Sequence, residues 1–437
     1  MDPITLAIIV FLVLFVLLAI GLPIGFAMGV TGFVGGSILL GDFDAALFLL
    51  GQTAYETAIT YNLSIVPLFI LMGYFASNSG LSEALFNACN TWLGYRRGGL
   101  GLATIGGCGA FAAICGSSLA TAATMTQVAL PEMKRYNYAD SLSTGSIAAG
   151  GTIGILIPPS VILVLYGILT ESNIGDLFLA GFIPGILLVI TFMLTISVVT
   201  RFKPELGPRG EKTTLRQKLG AFKNVWGTVV LFSLVIGGIY LGIFSPEEAA
   251  GIGASGALGL ALLARTMTRR VFFDCLMETV RTTSMIFTIL IGAILFNNFL
   301  VLSEVPNAIG GWIEGLALSK TMILLIILLI YLVLGCALDS LAMILLTIPI
   351  FFPVVQNLGF DPVWFGIVVV MVVELGLITP PIGMNVFIIK GMAQEVPLGR
   401  IYTGVLPFVV SLIILIGIIV AFPKIATWLP STAAMFR

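Results

Sequence analysis

The sequence predicts an all-α polytopic membrane protein built from two inverted-topology repeats. Three observations lead to this fold class. The first is composition: of 437 residues, 59% are hydrophobic and 9% are charged, against about 25% charged in a typical soluble domain. The second is a set of apolar runs close to the ~20 residues that a helix needs to cross a bilayer. The third is a group of residues that recurs at an offset of 222.

Ten full spans and two hairpins are predicted from the apolar runs. The spans fall at about 4–21, 23–40, 62–77, 140–170, 177–200, 225–244, 247–264, 282–302, 362–390 and 400–422. Two further apolar segments, 99–133 and 320–356, are interpreted as re-entrant helical hairpins, which return to the side that they entered. The first span follows no basic region and precedes no small-residue cleavage site, so we expect it to be retained rather than removed as a signal peptide.

Basic residues separate between the two sides of the membrane under this assignment. One side receives 17 of the 20 lysines and arginines, whereas the other keeps only Lys320, Lys424 and Arg437 and gains acidic stretches such as "GDFD" at 41–44. The positive-inside rule then predicts that both termini are periplasmic. The formal net charge of −1 and the lack of a nucleic-acid-binding motif argue against a nucleic-acid partner.

The basic segment 201–223 is predicted to be a cytoplasmic linker between the repeats 1–200 and 224–437. Each repeat contains five spans and one hairpin, and an odd number of crossings inverts the second repeat relative to the first. The matches at an offset of 222 fall in the hairpins and at two proline pairs. In the hairpins, Ser118-Leu119-Ala120 matches Ser340-Leu341-Ala342, and Pro131 matches Pro353. At the proline pairs, Gly154, Pro158 and Pro159 match Gly376, Pro380 and Pro381.

The proline pairs interrupt the apolar segments 140–170 and 362–390, within "GILIPPS" and "GLITPPI". Proline has no backbone N–H, and irregular backbone at membrane depth is tolerated only where it lines a cavity or is buried in protein. Inverted repeats with paired broken helices are typical of secondary transporters. The freed carbonyls suit a hard cation such as sodium. The hairpin tips, "CGSSLAT" and "CALDSLA", add hydroxyls and half-helix N-termini that suit an anion.

Two carboxylates within the membrane have more than one possible role. Asp339, at the second hairpin tip, is an N-cap, a cation ligand or both. Glu374 aligns with Thr152 of the first repeat. It is a functional candidate because it is an intramembrane carboxylate, or else a structural hydrogen-bond partner. The "GIGASG" stretch at 251–256 matches a dinucleotide-binding pattern but follows no strand, so we interpret it as small residues for close helix packing.

Four stretches around these features resemble a known family. They are "FAAICGSSLATAATMTQVALPEM", "GGTIGILIPPSVILVLYG", "NLSIVPLFILMGYFASNSG" and "ELGLITPPIGMNVF". The sequence is similar, over essentially its whole length, to the large membrane (M, DctM-type) subunit of tripartite ATP-independent periplasmic (TRAP) transporters. The resemblance implies a sodium-driven importer of an organic acid anion in the bacterial inner membrane, not an enzyme. It also implies an elevator mechanism, a small four-helix (Q-type) membrane subunit and a soluble periplasmic (P-type) binding protein, with sodium as coupling ion and no cofactor.

The resemblance further implies two sodium sites, a substrate site and two interfacial arm helices. The first sodium site would comprise Ser117, Ser118, Gly154 and Pro158, the second Asp339, Ser340, Gly376 and Thr379, and the substrate contacts would be Ser118, Ser160, Ser340 and Asn385. The arm helices would lie at about 79–97 and 265–280. Asp339 stands where the first repeat has Ser117, so the two sodium sites need not have equal affinity.

Two other functions stay open. A self-sufficient sodium–carboxylate symporter of related architecture would need no partner protein. An intramembrane enzyme is disfavoured because the chain has no histidine, no paired-aspartate motif and no serine with a base at helical spacing, and its five cysteines lack zinc-site spacing. The identity of the acid also stays open, since carriers of C4-dicarboxylates, sialic acid, keto acids and sulfonates would share these motifs.

Overall fold

The computed structural model describes residues 2–306, 308, 311 and 318–433, and the regular elements of this part are all helical. The α-helices are α1 (Pro3–Ala19), α2 (Ile24–Leu40), α3 (Phe43–Ile59), α4 (Ile65–Asn78), α5 (Leu81–Leu93), α6 (Gly99–Cys115), α7 (Ser118–Arg135), α8 (Asp140–Leu156), α9 (Val161–Thr170), α10 (Ile174–Phe202), α11 (Leu215–Tyr240), α12 (Pro246–Leu263), α13 (Arg269–Leu302), α14 (Lys320–Gly335), α15 (Ser340–Asn357), α16 (Pro362–Ile378), α17 (Met384–Met392), α18 (Leu398–Ala421) and α19 (Lys424–Ala433). Short 3₁₀ turns occur at Tyr61–Ser64 and Pro204–Leu206. The all-α prediction is confirmed.

Several of the helices have the length and composition of membrane spans. Within the described part of the chain, α10, α13, α15 and α18 each pass this test alone, and counting the bent helix pairs as single spans raises the number to seven. Five shorter apolar helices, α1, α2, α6, α14 and α16, reach 16 or 17 residues. The polytopic membrane architecture follows from these helices.

Both predicted hairpins and both predicted breaks are present. Helices α6 and α7 form the first hairpin, and α14 and α15 form the second. Helices α8 and α9 make up the first broken helix, with a bend of 42° at the interruption, and α16 and α17 make up the second. Each interruption contains a cis proline–proline bond, Pro158–Pro159 in the first and Pro380–Pro381 in the second.

The two broken helices pack against each other in opposite directions. The hydroxyl of Tyr166, near the end of the first, donates to the carbonyl oxygen of Pro362, at the start of the second, over 2.6 Å. At the other end, the amide of Asn385 donates to the carbonyl oxygen of Ala148 over 3.4 Å. This antiparallel crossing is the arrangement that inverted repeats require.

Helices α2 and α13, by contrast, pack in parallel through glycine. A Cβ placed on Gly25 would lie 2.8 Å from the Cα of Ile289, and one on Gly32 would lie 2.6 Å from the backbone N of Phe296. Small residues allow such close backbone approach between membrane helices. The glycines of α2 therefore serve helix packing.

Helix α3 was not predicted. No element was predicted between the spans 23–40 and 62–77, where "GDFD" at 41–44 was noted only as an acidic stretch. Asp42 caps the helix by accepting from the backbone N of Asp44 and Ala45 at 2.9 and 3.2 Å. The helix carries polar side chains such as Gln52 and Glu56, joined by a 2.8 Å hydrogen bond. A polar helix of this kind escapes a search for apolar runs.

Two predicted boundaries are wrong. The arm helix 265–280 is not separate from the span 282–302, because α13 runs unbroken from Arg269 to Leu302; neither proline nor glycine interrupts the sequence at the expected junction. The non-helical part of the linker is also shorter than 201–223, and a 55° bend separates Leu215–Lys223 from Val225–Tyr240 where the predicted linker ends. Helix α10 continues to Phe202, and α11 begins at Leu215 behind a capping box made by Thr214 and Gln217.

The shortened linker is attached to the base of the first hairpin. The backbone N of Gly98 donates to Gly207 O over 2.9 Å. The Tyr138 hydroxyl donates to Pro208 O over 2.8 Å and accepts from the backbone N of Leu100 over 3.1 Å. Burial raises the pKa of the Tyr138 hydroxyl, which therefore keeps the proton that it donates. The linker thus ties the end of the first repeat to its own hairpin.

A pair of glycines in α2 tests the parallel packing. We predict that Gly32→Ala destabilises the protein by about 1–3 kcal/mol, because the new methyl group meets backbone that cannot move aside. Gly36→Ala is the matched control: Gly36 lies one turn away in the same helix, and no heavy atom of a neighbour lies within 4 Å of its Cβ position. Melting temperatures of the two purified variants provide the measurement. Equal melting temperatures would contradict the close α2–α13 contact.

Candidate functional site

The two hairpin tips meet at one cavity of about 170 Å³. The first tip contributes residues 115–120 and the second contributes residues 339–341, while α4, α13 and the first broken helix supply the remaining walls. The polar side chains on the wall are Tyr74, Ser77, Ser117, Ser118, Thr282, Asp339 and Ser340. Elements from both repeats therefore build a single chamber.

Each tip presents the N-terminus of a half-helix to this cavity. The Ser117 Oγ accepts from the backbone N of Ala120, and the Asp339 Oδ2 accepts from the backbone N of Ala342, both at 3.4 Å. The two residues occupy equivalent capping positions in the two repeats. The N-cap interpretation of Asp339 is therefore confirmed, and the remaining N–H groups of both half-helices give the cavity a partial positive charge.

In the first repeat, two glycines bring the tip onto the break. Gly116 has φ of 62°, and a Cβ on it would lie 2.5 Å from the carbonyl oxygen of Pro159. A Cβ on Gly154 would lie 2.7 Å from the carbonyl oxygen of Ser117. Any larger side chain at either position would push the tip away from the break.

The second repeat uses the same arrangement. A Cβ on Gly376 would lie 2.6 Å from the carbonyl carbon of Gly335, just before the second tip. The backbone N of Gly383, whose φ is 63°, donates to the carbonyl oxygen of Cys336 over 3.2 Å. Each tip therefore covers the break of its own repeat, as the sequence analysis proposed when it paired them.

The two breaks differ in whether a backbone N–H donates to the carbonyl that the proline leaves without its helical donor. Pro158 has no N–H to donate to the carbonyl of Gly154, which lies one turn earlier. In the second repeat the backbone N of Thr379 donates to Gly376 O over 3.0 Å, in place of the missing donor at Pro380. The Thr379 hydroxyl donates to a carbonyl of its own helix. The Gly154 carbonyl of the first break therefore lacks the replacement donor that the Gly376 carbonyl of the second break has.

The predicted site residues divide into two groups. Ser117, Ser118, Asp339 and Ser340 line the cavity. Gly154, Pro158, Ser160, Gly376, Thr379 and Asn385 are not on its wall but lie in or beside the breaks. Ser160 is fully buried, and its Oγ caps α9 by accepting from the backbone N of Leu163 at 3.3 Å. The structure does not bring Ser160 to the cavity as a substrate contact.

Ser118 connects the first tip to both broken helices. Its Oγ lies 3.0 Å from the carbonyl oxygen of Gly151 in α8 and donates a hydrogen bond to the carboxylate of Glu374 in α16. Glu374 is 1% exposed. The structure therefore supports the hydrogen-bonding role that the sequence analysis left open for this carboxylate, and it assigns the partner to the opposite repeat.

Three polar wall residues, Tyr74, Ser77 and Thr282, were missed by sequence reasoning. The hydroxyls of Tyr74 in α4 and Thr282 in α13 lie 3.0 Å apart, so they join the two helices that face the tips. Both residues belong to uninterrupted spans, and the search for site residues followed the breaks. The only sequence feature that could have identified them is a hydroxyl side chain within an otherwise apolar span. Such hydroxyl side chains are common in membrane helices, so this feature alone does not indicate a site.

The cavity wall carries few ionisable side chains. Asp339 is the one ionisable carboxylate among its described lining residues, which include no lysine or arginine. A carboxylate with nearby hydroxyls and carbonyls suits a small hard cation. The half-helix N-termini suit an anionic group without a basic side chain. The cavity wall thus offers oxygen ligands of the kind that bind cations and N–H donors of the kind that bind anions.

Comparison with known proteins places these features in a family. A family profile described as "Tripartite ATP-independent periplasmic transporter, DctM component" matches residues 11–425. The chain is 37% identical over 383 residues to a C4-dicarboxylate TRAP transporter large permease protein, DctM, from Pseudomonas aeruginosa, covering 87% of this chain and 89% of that relative. It is 32% identical over 371 residues to a sialic acid TRAP transporter large permease protein, SiaM, from Vibrio cholerae, with 85% and 86% covered.

Two further likenesses complete the comparison. An isethionate TRAP transporter permease protein, DctMQ, from Oleidesulfovibrio alaskensis is 34% identical over 389 residues, which span 88% of this chain and 59% of that relative. The crystal structure of the Alcanivorax borkumensis YdaH transporter, described as having an unusual topology, superposes with a TM-score of 0.65 over 88% of this chain and 90% of that one. At 15% identity, this likeness concerns the fold alone.

Proposed function

The chain belongs to the DctM family of tripartite ATP-independent periplasmic transporter components, and on that premise we propose that it is the large permease subunit of a sodium-driven importer of an organic acid anion. The observation that carries the proposal is the convergence of both hairpin tips on one cavity. Two half-helix N-termini would attract the anion, while carboxylate, hydroxyl and carbonyl oxygens would hold sodium.

The proposed first sodium site comprises Ser117, Ser118, Gly154 and Pro158. Its supporting observations are the contact between the Gly154 and Ser117 backbones and the proline that leaves the Gly154 carbonyl without its helical donor. Hydroxyl and carbonyl oxygens are neutral ligands, so this site would bind sodium without adding negative charge.

The proposed second sodium site comprises Asp339, Ser340, Gly376 and Thr379. Asp339 adds a carboxylate to the oxygen set, and Gly376 lies against the residues that lead into the tip. A carboxylate attracts a cation more strongly than a hydroxyl does. We therefore expect the second site to have the higher sodium affinity, with sodium acting as coupling ion.

An elevator mechanism accounts for the way the elements are grouped. The hairpins and broken helices are held together by the Ser118–Glu374 and Asn385–Ala148 contacts. Helices α2 and α13 form a separate, glycine-packed pair. We propose that the first group moves as a transport domain. The walls formed by α4 and α13 would then be the stationary face along which the tips travel.

The proposed partners follow from the family. A small four-helix Q-type membrane subunit and a soluble periplasmic P-type protein would complete the transporter, in the inner membrane of a bacterium with both termini periplasmic. The relatives' names specify C4-dicarboxylate, sialic acid and isethionate transport. These substrates share an anionic carboxylate or sulfonate group, so we propose an organic acid anion of this class. The competing proposal is a symporter that needs no partner.

Substitutions of Asp339 distinguish a sodium ligand from a residue that only caps the helix. Asparagine keeps an oxygen for the N-cap but removes the charge, whereas alanine removes both. We predict that Asp339→Asn raises the sodium concentration needed for half-maximal uptake while leaving the melting temperature nearly unchanged, and that Asp339→Ala also costs about 1 kcal/mol of stability. Uptake into proteoliposomes and thermal melting provide the two measurements.

Asp361 supplies a matched control for this test. Its Oδ1 caps α16 by accepting from the backbone N of Trp364 at 2.8 Å, and it is not on the cavity wall. Asp361→Asn should therefore leave the sodium dependence of uptake unchanged. If Asp339→Asn also keeps the wild-type sodium dependence, Asp339 is a cap and the second sodium site is assigned wrongly.

A second prediction concerns the partners. The purified chain in proteoliposomes should show no uptake of an organic acid when given sodium and a membrane potential alone. Uptake should begin only after the Q-type subunit is co-reconstituted and the P-type protein is added with its ligand. Omitting each partner in turn is the control. Robust uptake by the chain alone would instead establish the self-sufficient symporter.

A further inference from the structure

A buried carboxylate lies where the two repeats meet, behind the tip cavity. Glu374 is 1% exposed, and it is absent from the cavity wall. Its Oε2 accepts from the hydroxyl of Ser118, and its Oε1 is a buried oxygen without a hydrogen-bond partner. The side chain thus has one oxygen available to a ligand.

A second unpartnered oxygen lies in the same region. Asn385 is 0% exposed; its Nδ2 donates to Ala148 O, and its Oδ1 has no partner. Asn385 packs against Gly151, and the Ser118 hydroxyl connects Gly151 to Glu374. A Cβ on Gly151 would lie 3.1 Å from Asn385 Nδ2 and 3.2 Å from the carbonyl oxygen of Ser118, and the Gly151 carbonyl lies 3.0 Å from the Ser118 hydroxyl. Oxygen atoms of Ser118 in α7 and Gly151 in α8 thus lie beside the Glu374 carboxylate of α16, and the Asn385 side chain of α17 packs against the same glycine.

Among the described residues, no ion pair involves Glu374. The ion pairs among the described residues, Lys134–Glu395, Arg135–Glu132, Arg270–Asp274 and Arg281–Glu278, all involve partly or fully exposed side chains. A carboxyl group in a membrane interior takes up a proton unless a counter-ion and a ligand replace its hydration. A bound cation would provide both, and the carboxylate, hydroxyl and carbonyl oxygens of Glu374, Ser118 and Gly151 suit sodium.

We propose that Glu374, Asn385, Ser118 and the carbonyl of Gly151 form a further sodium site between the two repeats. This inference rests on the proposed function and adds one ion to its two tip sites, with Ser118 shared between this site and the first. The ion would link the first tip to both broken helices. Its binding would therefore stabilise the antiparallel crossing on which the tip cavity is built.

The site has no counterpart across the repeat axis. Thr152 of the first repeat, which aligns with Glu374, donates its hydroxyl to the carbonyl oxygen of Ala149 in its own helix over 2.6 Å. It offers no charge, and the residue aligned with Asn385 at the same offset is Leu163, which has no side-chain oxygen. The proposal therefore predicts one additional ion rather than a symmetric pair.

The test is the sodium stoichiometry of the purified protein, measured by equilibrium binding of radioactive sodium, together with the rise in melting temperature on adding sodium. Glu374→Gln keeps the size and hydrogen-bonding capacity of the side chain but removes its charge. We expect this variant to bind one sodium ion fewer than the wild type and to show a smaller sodium-induced rise in melting temperature. Asn385→Ser shortens the second ligand and should weaken the binding of the same ion. It is the alternative test variant if Glu374→Gln does not fold.

Ser146→Ala is the matched control, since Ser146 is buried in α8 and donates to Ser143 O within its own helix. It should keep the wild-type sodium stoichiometry. Wild-type stoichiometry in both Glu374→Gln and Asn385→Ser would overturn this proposal alone, because the carboxylate would then be a neutral hydrogen-bonding group. An absence of sodium binding by the wild-type protein would overturn the proposed sodium-driven function itself.

Discussion

An interrupted helix inside a membrane leaves backbone groups that water cannot reach, and the fold of this protein is organised around covering two such interruptions. Each break is covered by the hairpin tip of its own repeat, through glycines that allow backbone to touch backbone: Gly154 against Ser117, and Gly376 against Gly335. Because the broken helices cross antiparallel, covering both breaks also brings the two tips to one cavity. The same contacts that make the breaks tolerable therefore create the binding chamber.

The repeats are equivalent in backbone but not in chemistry. Ser117 and Asp339 cap equivalent half-helices, yet only the second adds a carboxylate to the cavity. Thr152 and Glu374 occupy aligned positions, yet only Glu374 reaches across to the opposite repeat. The carboxyl groups near the tips thus come from the second repeat, and this asymmetry is the basis for proposing unequal sodium sites.

The features that depend on local sequence were predictable. The proline pairs, the hairpin tips and the offset of 222 located both breaks and both tips, since proline and glycine act on the backbone nearest to them. Contacts between distant segments were not predictable in this way. The Ser118–Glu374 hydrogen bond joins residues 256 positions apart, and the Tyr74–Thr282 contact depends on how two uninterrupted helices pack. Helix α3 and the unbroken α13 were missed because apolar runs, rather than caps and breakers, were used to set element boundaries.

The central claim is that oppositely oriented tips meet at one chamber, and cross-linking tests it most directly. Cysteines would replace Leu119 and Leu341, one on each tip and both on the cavity wall, in a protein whose five native cysteines are changed to alanine. A short thiol-specific cross-linker is then added, and the chain is cut at a protease site inserted in the linker near Lys212. The account predicts that the two halves stay joined on a denaturing gel, whereas a control pair at Leu119 and the exposed Leu329 separates. Separation of the halves in the Leu119–Leu341 protein would contradict it.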